Sequence, residues 1–132
     1  MKKIQSLKAT PVSFKLKHPF VTAAGKKTET HNVRVTLTLE DGTQGFAEAS
    51  SSIAMPKESQ DNMTRPIQHI ATEILNQPMD AYRELIAMAW RVESIHPTAA
   101  AAVECALLDA STRCHNQSLA DVFARMATTV DT

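Results

Sequence analysis

The sequence predicts an α+β domain, a three-stranded antiparallel meander followed by three to four helices. Apolar and polar residues alternate through 32–39, which is typical of a strand with one buried and one solvated face. From Thr64 onward apolar residues recur at three- and four-residue steps, the period of an amphipathic helix. Because every strand signal precedes every helix signal, the two kinds of element are segregated along the chain, as in α+β folds.

The strand signals lie in the first half of the chain. Residues 3–16 mix β-forming and polar residues and are predicted as an edge strand, since Pro11 suits an edge or a bulge. Residues 32–39 form the clearest strand. Asp41-Gly42 is a hairpin turn signal, and residues 43–49 are predicted to return as the partner strand. A sheet of this kind needs helices on its apolar face.

Two long loops are predicted at strand ends, over 18–31 and 50–58. His18-Pro19-Phe20 interrupts the first strand, and residues 21–30 show no clear period. The second loop is rich in serine. Loops held at the ends of rigid elements are where recognition residues concentrate, so we expect any binding residues of the domain here.

The helix signals follow. Ser59 or Thr64 could be the N-cap of the first helix, and Thr64 is favoured because Pro66 is tolerated only in a first turn. Asp80 is expected to cap a second helix over 81–94. A third, longer helix is predicted to begin at Thr98.

The stretch from Thr98 to Phe123 predicts a long helix, a stop and a short helix. One thin apolar stripe runs along the long helix and consists of Ala99, Ala102, Val103, Ala106, Leu107 and Ala110. Asn116 is suited to a left-handed stop. Ser118 with Asp121 three residues later resembles a capping box that starts the short helix.

Bulk properties bound the function. The chain has 132 residues, which fits one domain, and its 14 basic and 14 acidic residues balance to zero net charge. The sequence has no basic stripe of the kind that binds nucleic acid. No apolar run approaches the ~18 residues that span a bilayer. We therefore expect a cytoplasmic protein. Cys105 and Cys114 would lie about 13.5 Å apart along one helix, so both are expected as free thiols, with Cys105 in the core.

The sequence contains no catalytic constellation. Its five histidines share no metal-ligand spacing, its three glycines form no phosphate cradle, and the serines at 50–52 lack the context of a nucleophile. We therefore assign no catalytic residue, no metal ligand and no cofactor to this chain.

Four segments together resemble one known family. PFVTAAG at 19–25, NVRVTLTL with its Asp-Gly turn, GFAEA at 45–49 and AAVECALLDASTR at 101–113 are similar to the N-terminal capping domain of the enolase superfamily. The muconate lactonizing enzyme and mandelate racemase branch is nearest, and the Pro19 to Ala23 segment is most similar to dipeptide epimerases. Ala47 departs from the family's Gly-x-Gly-Glu-Ala pattern.

The resemblance implies a two-part enzyme. Residues 1–126 would be the capping domain, and 127–132 a linker or the truncated start of an absent (β/α) barrel. In such enzymes a barrel lysine or histidine removes a proton α to a carboxylate, and Mg²⁺ held by barrel acids stabilises the product of that step. The partners implied are a small carboxylate or dipeptide substrate and the chain's own barrel. Without the barrel, an apolar flank of the capping domain would be exposed, so we expect the chain to self-associate, for example as a homodimer. Sedimentation as a monomer at high concentration would contradict this expectation.

The resemblance also implies which residues face the substrate, since the cap of such an enzyme supplies the two loops that close over the barrel. The matching positions are Phe20 and Thr22 in the first loop, and Ile53 and Met55 in the second. Lys26 or Lys27 is expected to meet a substrate carboxylate, on charge alone. By this interpretation the chain is inactive by itself. The alternative is a stand-alone α+β module for binding or dimerisation, and the reading frame beyond Thr132 discriminates between the two.

Overall fold

The computed structural model describes residues 2–123 and confirms the predicted architecture. One antiparallel sheet has the strand order β1-β2-β3, with β1 at Ile4–Thr22, β2 at Gly25–Leu39 and β3 at Gln44–Ser50. The helices are α1 at Gln60–Ile74, α2 at Tyr82–Val92, α3 at Pro97–Cys114 and α4 at Leu119–Val122, with a 3₁₀ turn at Met79–Ala81 before α2. The linker predicted at 127–132 lies outside the described residues.

The core lies between the sheet and the helices. Alternate residues of β2 from Val33 to Leu39 are fully buried, while Arg34 on the opposite face is exposed. The buried stripe of α1 includes Ile67, Ile70 and Ile74. Burial of each such side chain contributes about 1.5–3 kcal/mol, so the alternation in β2 decides which face of the sheet the helices cover.

The first predicted loop, 18–31, is wrong: apart from a turn at residues 23–24 this stretch is strand, and β1 and β2 form one long hairpin. The pairing extends to Thr22 and Gly25, around a two-residue turn. Near Pro19 the register shifts between Lys15 and Phe20, because proline cannot donate to the ladder and a bulge absorbs it. Both faces of this end of the hairpin are largely exposed, and a strand without a buried face carries no apolar period.

The turn between β2 and β3 forms as predicted. Gly42 has a φ of 92°, and the Asp41 carboxylate accepts hydrogen bonds from the Thr43 N–H at 3.0 Å and the Thr43 hydroxyl at 3.1 Å. The Thr43 amide, together with the Lys2 ammonium at 3.0 Å, lowers the pKa of Asp41 to about 2.

Helix α3 packs against β3 at very short distance. A Cβ atom added to Gly45 would lie 2.3 Å from the Ala106 carbonyl oxygen and 2.5 Å from the Ala110 nitrogen. Beside this contact, the Phe46 N–H donates to Asp109 at 2.9 Å, and Arg113 Nε donates to the same carboxylate at 3.1 Å. The thin alanine stripe is therefore what lets the helix backbone contact the sheet.

Two predicted helix starts are wrong. Ser59, not Thr64, is the N-cap of α1 and accepts from the Asn62 N–H at 3.2 Å, so Pro66 lies inside the helix. The absent Pro66 N–H forfeits one helical hydrogen bond, and the proline side chain is buried. Asp80 lies in the 3₁₀ turn and makes no capping bond.

The end of α3 confirms the predicted stop. Asn116 has a φ of 53°, and Ser118 and Asp121 form a reciprocal capping box at the start of α4. The expectation for Cys105 is wrong, because its side chain lies on the exposed side of α3. Both cysteines are free thiols, and partial burial, with Glu104 beside it, raises the pKa of the Cys105 thiol.

Candidate functional site

The end of the β1–β2 hairpin and the segment 51–58 lie side by side at one end of the sheet. Together they enclose a cleft of about 480 Å³. Its floor includes Thr30 and Asn32, which alternate along β2 with the buried core residues and therefore face away from the helices. The two segments predicted as loops thus meet, although they are far apart in sequence.

Three of the six predicted binding residues line this cleft. Phe20 comes from β1, Lys27 from β2 and Ile53 from the 51–58 segment. Phe20 and Lys27 are register partners, so their side chains lie on the same face of the hairpin. Phe20 is 58% exposed, which leaves an aromatic ring available at the rim of the cleft.

The other three predicted residues do not line the cleft. Thr22 shapes the hairpin turn, where its Oγ1 accepts from the Ala24 N–H at 3.2 Å. Lys26 neighbours Lys27 on the strand and therefore projects to the opposite face. Met55 is 44% exposed and lies in a turn where its N–H donates to the Ser52 carbonyl at 3.3 Å.

The sequence analysis missed several lining residues, namely Leu16, Thr30, Asn32 and the three serines Ser50, Ser51 and Ser52. The alternation of 32–39 carried a signal for two of them, because its polar face continues backward through Asn32 to Thr30. Leu16 lies within the predicted first strand, and nothing in its sequence context marks it as a binding residue.

A hydrogen-bond chain fixes the polar floor of the cleft. The Thr30 hydroxyl donates to Asn32 Oδ1 at 2.6 Å, and Asn32 Nδ2 donates to Glu48 at 2.8 Å. Arg34 lies 3.9 Å from the same carboxylate. These bonds orient the Asn32 side chain before any ligand binds, which is how a site avoids an ordering cost on binding.

Two contacts connect the hairpin to the 51–58 segment at the cleft. Lys27 Nζ donates to the Ser51 carbonyl oxygen at 2.7 Å and lies 3.5 Å from Ser51 Oγ. Gly25, with a φ of 153°, lies so close to Ile53 that an added Cβ would be 3.2 Å from Ile53 Cγ2. The two walls of the cleft therefore contact each other.

The far end of the same segment is anchored to α3. Glu58 is 4% exposed, and its carboxylate accepts from the Thr98 N–H at 2.9 Å and from the Thr98 hydroxyl. Thr98 lies in the first turn of α3, where orphan N–H groups and the helix dipole favour a negative charge. This pair could not be predicted from the sequence, because its members are forty positions apart.

The chemistry of the cleft is that of a binding wall. Lys27 is the one ionisable side chain among its lining residues, so the lining contains no pair of ionisable groups for acid–base catalysis. Ser51 Oγ lies 3.5 Å from Lys27 Nζ, but that Nζ donates to the Ser51 carbonyl oxygen at 2.7 Å. Within residues 2–123, no group of three His, Cys, Asp or Glu side chains is placed to hold a metal ion. The residues described here therefore do not fit a magnesium site.

A larger cleft, of about 930 Å³, lies over α1 near the start of α3. On its side Glu93 accepts from His69 at 2.6 Å and from His96 at 2.8 Å. Burial raises the pKa of Glu93, but the two histidine hydrogen bonds outweigh burial and leave that pKa below its ordinary value. The carboxylate is thus already satisfied, and this trio joins α1 to the α2–α3 turn.

Comparison with known proteins places the chain in context. Residues 4–123 match the family model described as mandelate racemase / muconate lactonizing enzyme, N-terminal domain. The chain is 30% identical over 129 residues to an aromatic dipeptide epimerase of Herpetosiphon aurantiacus, covering 98% of this chain and 36% of that protein. It is 26% identical to an L-Ala-D/L-Glu epimerase of Francisella tularensis subsp. novicida, covering 100% and 37%. The chain thus spans about a third of these relatives.

Solved structures agree with the fold. A mandelate racemase/muconate lactonizing protein from Herpetosiphon aurantiacus superposes with a TM-score of 0.80 at 32% identity, covering 86% of this chain and 32% of that one. A dipeptide epimerase from Enterococcus faecalis, complexed with Mg and L-Leu-L-Tyr, gives 0.89 at 20% identity, covering 98% and 37%, and shows the fold alone. None of the helices within residues 2–123 has the length and apolar character that a membrane crossing requires.

Proposed function

Since the chain belongs to the mandelate racemase and muconate lactonizing enzyme family through its N-terminal domain, we propose that it is the substrate-capping domain of a two-part isomerase. The substrate class we propose is a small carboxylate, most specifically a dipeptide. The reaction would be removal and return of a proton α to a carboxylate, carried out by a barrel domain that these residues do not include.

One observation carries this proposal: the cleft has the lining of a binding wall without any catalytic pair. Three apolar side chains and one cation surround a polar floor, which suits recognition of an amphipathic anion. A wall of this kind needs another surface to complete it. This chain covers only 36–37% of the length of those relatives. We assign the catalytic groups to the part that it does not cover.

The lining supports a role for individual residues. Phe20 and Ile53 would contact an apolar substrate side chain, and Lys27 would attract a substrate carboxylate and disfavour a cationic side chain. We assign the carboxylate contact to Lys27 rather than Lys26, because Lys26 projects from the other face of the hairpin. Thr22 lies at the hairpin turn and Met55 in a turn of the 51–58 segment, so their role would be to hold the shape of the wall.

The domain's contribution to catalysis would be positioning and exclusion of water. A closed wall over a reacting carboxylate strengthens electrostatic interactions around it and protects a reactive intermediate. Mg²⁺ would stabilise the negative charge that forms when the proton is removed. Carboxylates of the barrel would hold the ion, since the described residues of this chain do not fit a metal site.

A chimera tests the proposal. Residues 2–123 would replace the N-terminal domain of the Herpetosiphon aurantiacus aromatic dipeptide epimerase, and exchange of the substrate α-proton in D₂O would be followed by NMR with Mg²⁺ present. We expect exchange with the chimera and none with this chain alone. Turnover by the isolated chain would contradict the proposal, as would a cooperatively folded chimera inactive on every dipeptide tried. A stand-alone binding module predicts that second result.

A further inference from the structure

The contacts across the cleft point to a role for Lys27 that does not require a substrate. We propose that Lys27 is a positioning residue, which joins the hairpin end and the 51–58 segment into one wall that moves as a unit. The hydrogen bond from Lys27 Nζ to the Ser51 carbonyl oxygen, at 2.7 Å, is the connection. The contact of Gly25 with Ile53 lies directly beside it.

The 51–58 segment depends on this bond because it has few other attachments near the cleft. Pairing of β3 with β2 ends at Ser50. Beyond it, Ala54 N–H donates to Ser52 Oγ at 3.2 Å and Met55 N–H to the Ser52 carbonyl at 3.3 Å, both within the segment. The Ser50 hydroxyl at the end of β3 also donates to the Ser51 carbonyl oxygen, at 3.3 Å, but this bond joins neighbours in sequence. Among the residues that the structure describes, Lys27 is the one residue beyond β3 and the segment itself that hydrogen-bonds to positions 51–55.

Lys27 is suited to this task and its neighbour is not. Lys27 is half-buried and faces Ser51, whereas Lys26 is exposed and projects from the opposite face. An ammonium bond to a carbonyl is charge-assisted and stronger than a neutral one. Since an ammonium has three donors, Lys27 retains a donor for a ligand while it holds Ser51.

The role has a consequence for recognition, which rests on the proposed function. If the two walls move together, Phe20 and Ile53 keep a fixed separation, and the cleft presents one preformed shape to a substrate. Independent walls would instead have to be ordered at each binding event, at a cost in affinity.

Hydrogen exchange in the chain itself tests the proposal. Lys27→Met keeps the length and apolar stem of the side chain but removes the donor. We expect exchange of the Ala54 and Met55 amides to accelerate roughly three- to tenfold, and the NOE between Gly25 Hα and the Ile53 methyls to weaken. Lys27→Arg, which keeps a donor, should restore both values to within about twofold of wild type.

The matched control is Lys26→Met, which removes the same charge from the adjacent position and should change neither readout. Equal exchange rates in Lys27→Met and Lys26→Met, with the NOE retained, would overturn the proposal. Faster exchange throughout the sheet in Lys27→Met would also overturn it, because that result means general destabilisation. These measurements use no substrate, so the chimera can fail while the coupling of the walls holds, and the reverse.

Discussion

Replacement of Gly45 by alanine tests the close contact between α3 and β3. The φ of Gly45 lies outside the left-handed range, so alanine fits the backbone and any cost comes from contact. The new Cβ would lie 2.3 Å from the Ala106 carbonyl oxygen, 2.5 Å from the Ala110 nitrogen and 2.7 Å from the Ala110 Cβ. None of these atoms belongs to a flexible side chain.

The size of the effect follows from those distances. An ordinary carbon–oxygen contact is about 3.2 Å or longer, so α3 must move away from β3 by about 1 Å. Overpacking of this kind costs about 1–3 kcal/mol. The shift also lengthens the bond from the Phe46 N–H to Asp109, now 2.9 Å, and a charge-assisted bond is worth about 1.5–3 kcal/mol. We expect a loss of about 3 kcal/mol or more.

Urea unfolding followed by circular dichroism measures this loss, and a thermal midpoint lower by about 10 °C should accompany it. The control is Gly42→Ala, at a φ of 92° with no atom within 4 Å of the new Cβ. That variant should lose only about 1–2 kcal/mol, from its left-handed backbone. If Gly45→Ala is no less stable than Gly42→Ala, the close contact of α3 with β3 is refuted.

Two further predictions concern buried carboxylates. Glu58→Gln should lower the free energy of unfolding by about 1–3 kcal/mol. The substitution removes the negative charge of the carboxylate that accepts from the Thr98 N–H at 2.9 Å. An unchanged urea midpoint would contradict this prediction. Glu93→Gln should cost about 1–2 kcal/mol near neutral pH, and exposed Glu73→Gln almost nothing. The pKa of Glu93 is lowered in the fold, so its contribution is complete above the ordinary carboxyl pKa and is lost as pH falls through the lowered value. The difference between wild type and Glu93→Gln should therefore shrink on acidification, and a constant difference would show that the charge is irrelevant.

The sequence was sufficient for the parts of the fold that a buried face imposes. Burial against the other layer imposes both the alternation from Val33 to Leu39 and the alanine stripe of α3. Both patterns can be recognised in the sequence. The hairpin end was missed because no core contacts it, and without a core there is no apolar period to read. The cap of α1 was missed because Pro66 was assumed to require the first turn, whereas tertiary burial lets it lie deeper.

Only part of the candidate site could be predicted from the sequence. Phe20 and Ile53 were predicted from a family resemblance and Lys27 from its charge alone, and the fold brings the three to one cleft. Asn32 was missed although the polar face of its strand was visible, since nothing in the sequence says which polar face a neighbouring segment covers. The Glu58–Thr98 pair could not be predicted, because a contact between residues so far apart in sequence leaves no local sequence pattern.

Two segments distant in sequence form one wall of the cleft, and we propose that this wall selects the substrate. The most direct measurement is kcat/KM of the chimera for a dipeptide with a large apolar side chain, relative to one with alanine there. Phe20→Ala should lower this ratio roughly tenfold, whereas Val21→Ala, which is 70% exposed on the opposite face of the hairpin, should leave it unchanged. A ratio that responds equally to both variants, or to neither, would contradict the account.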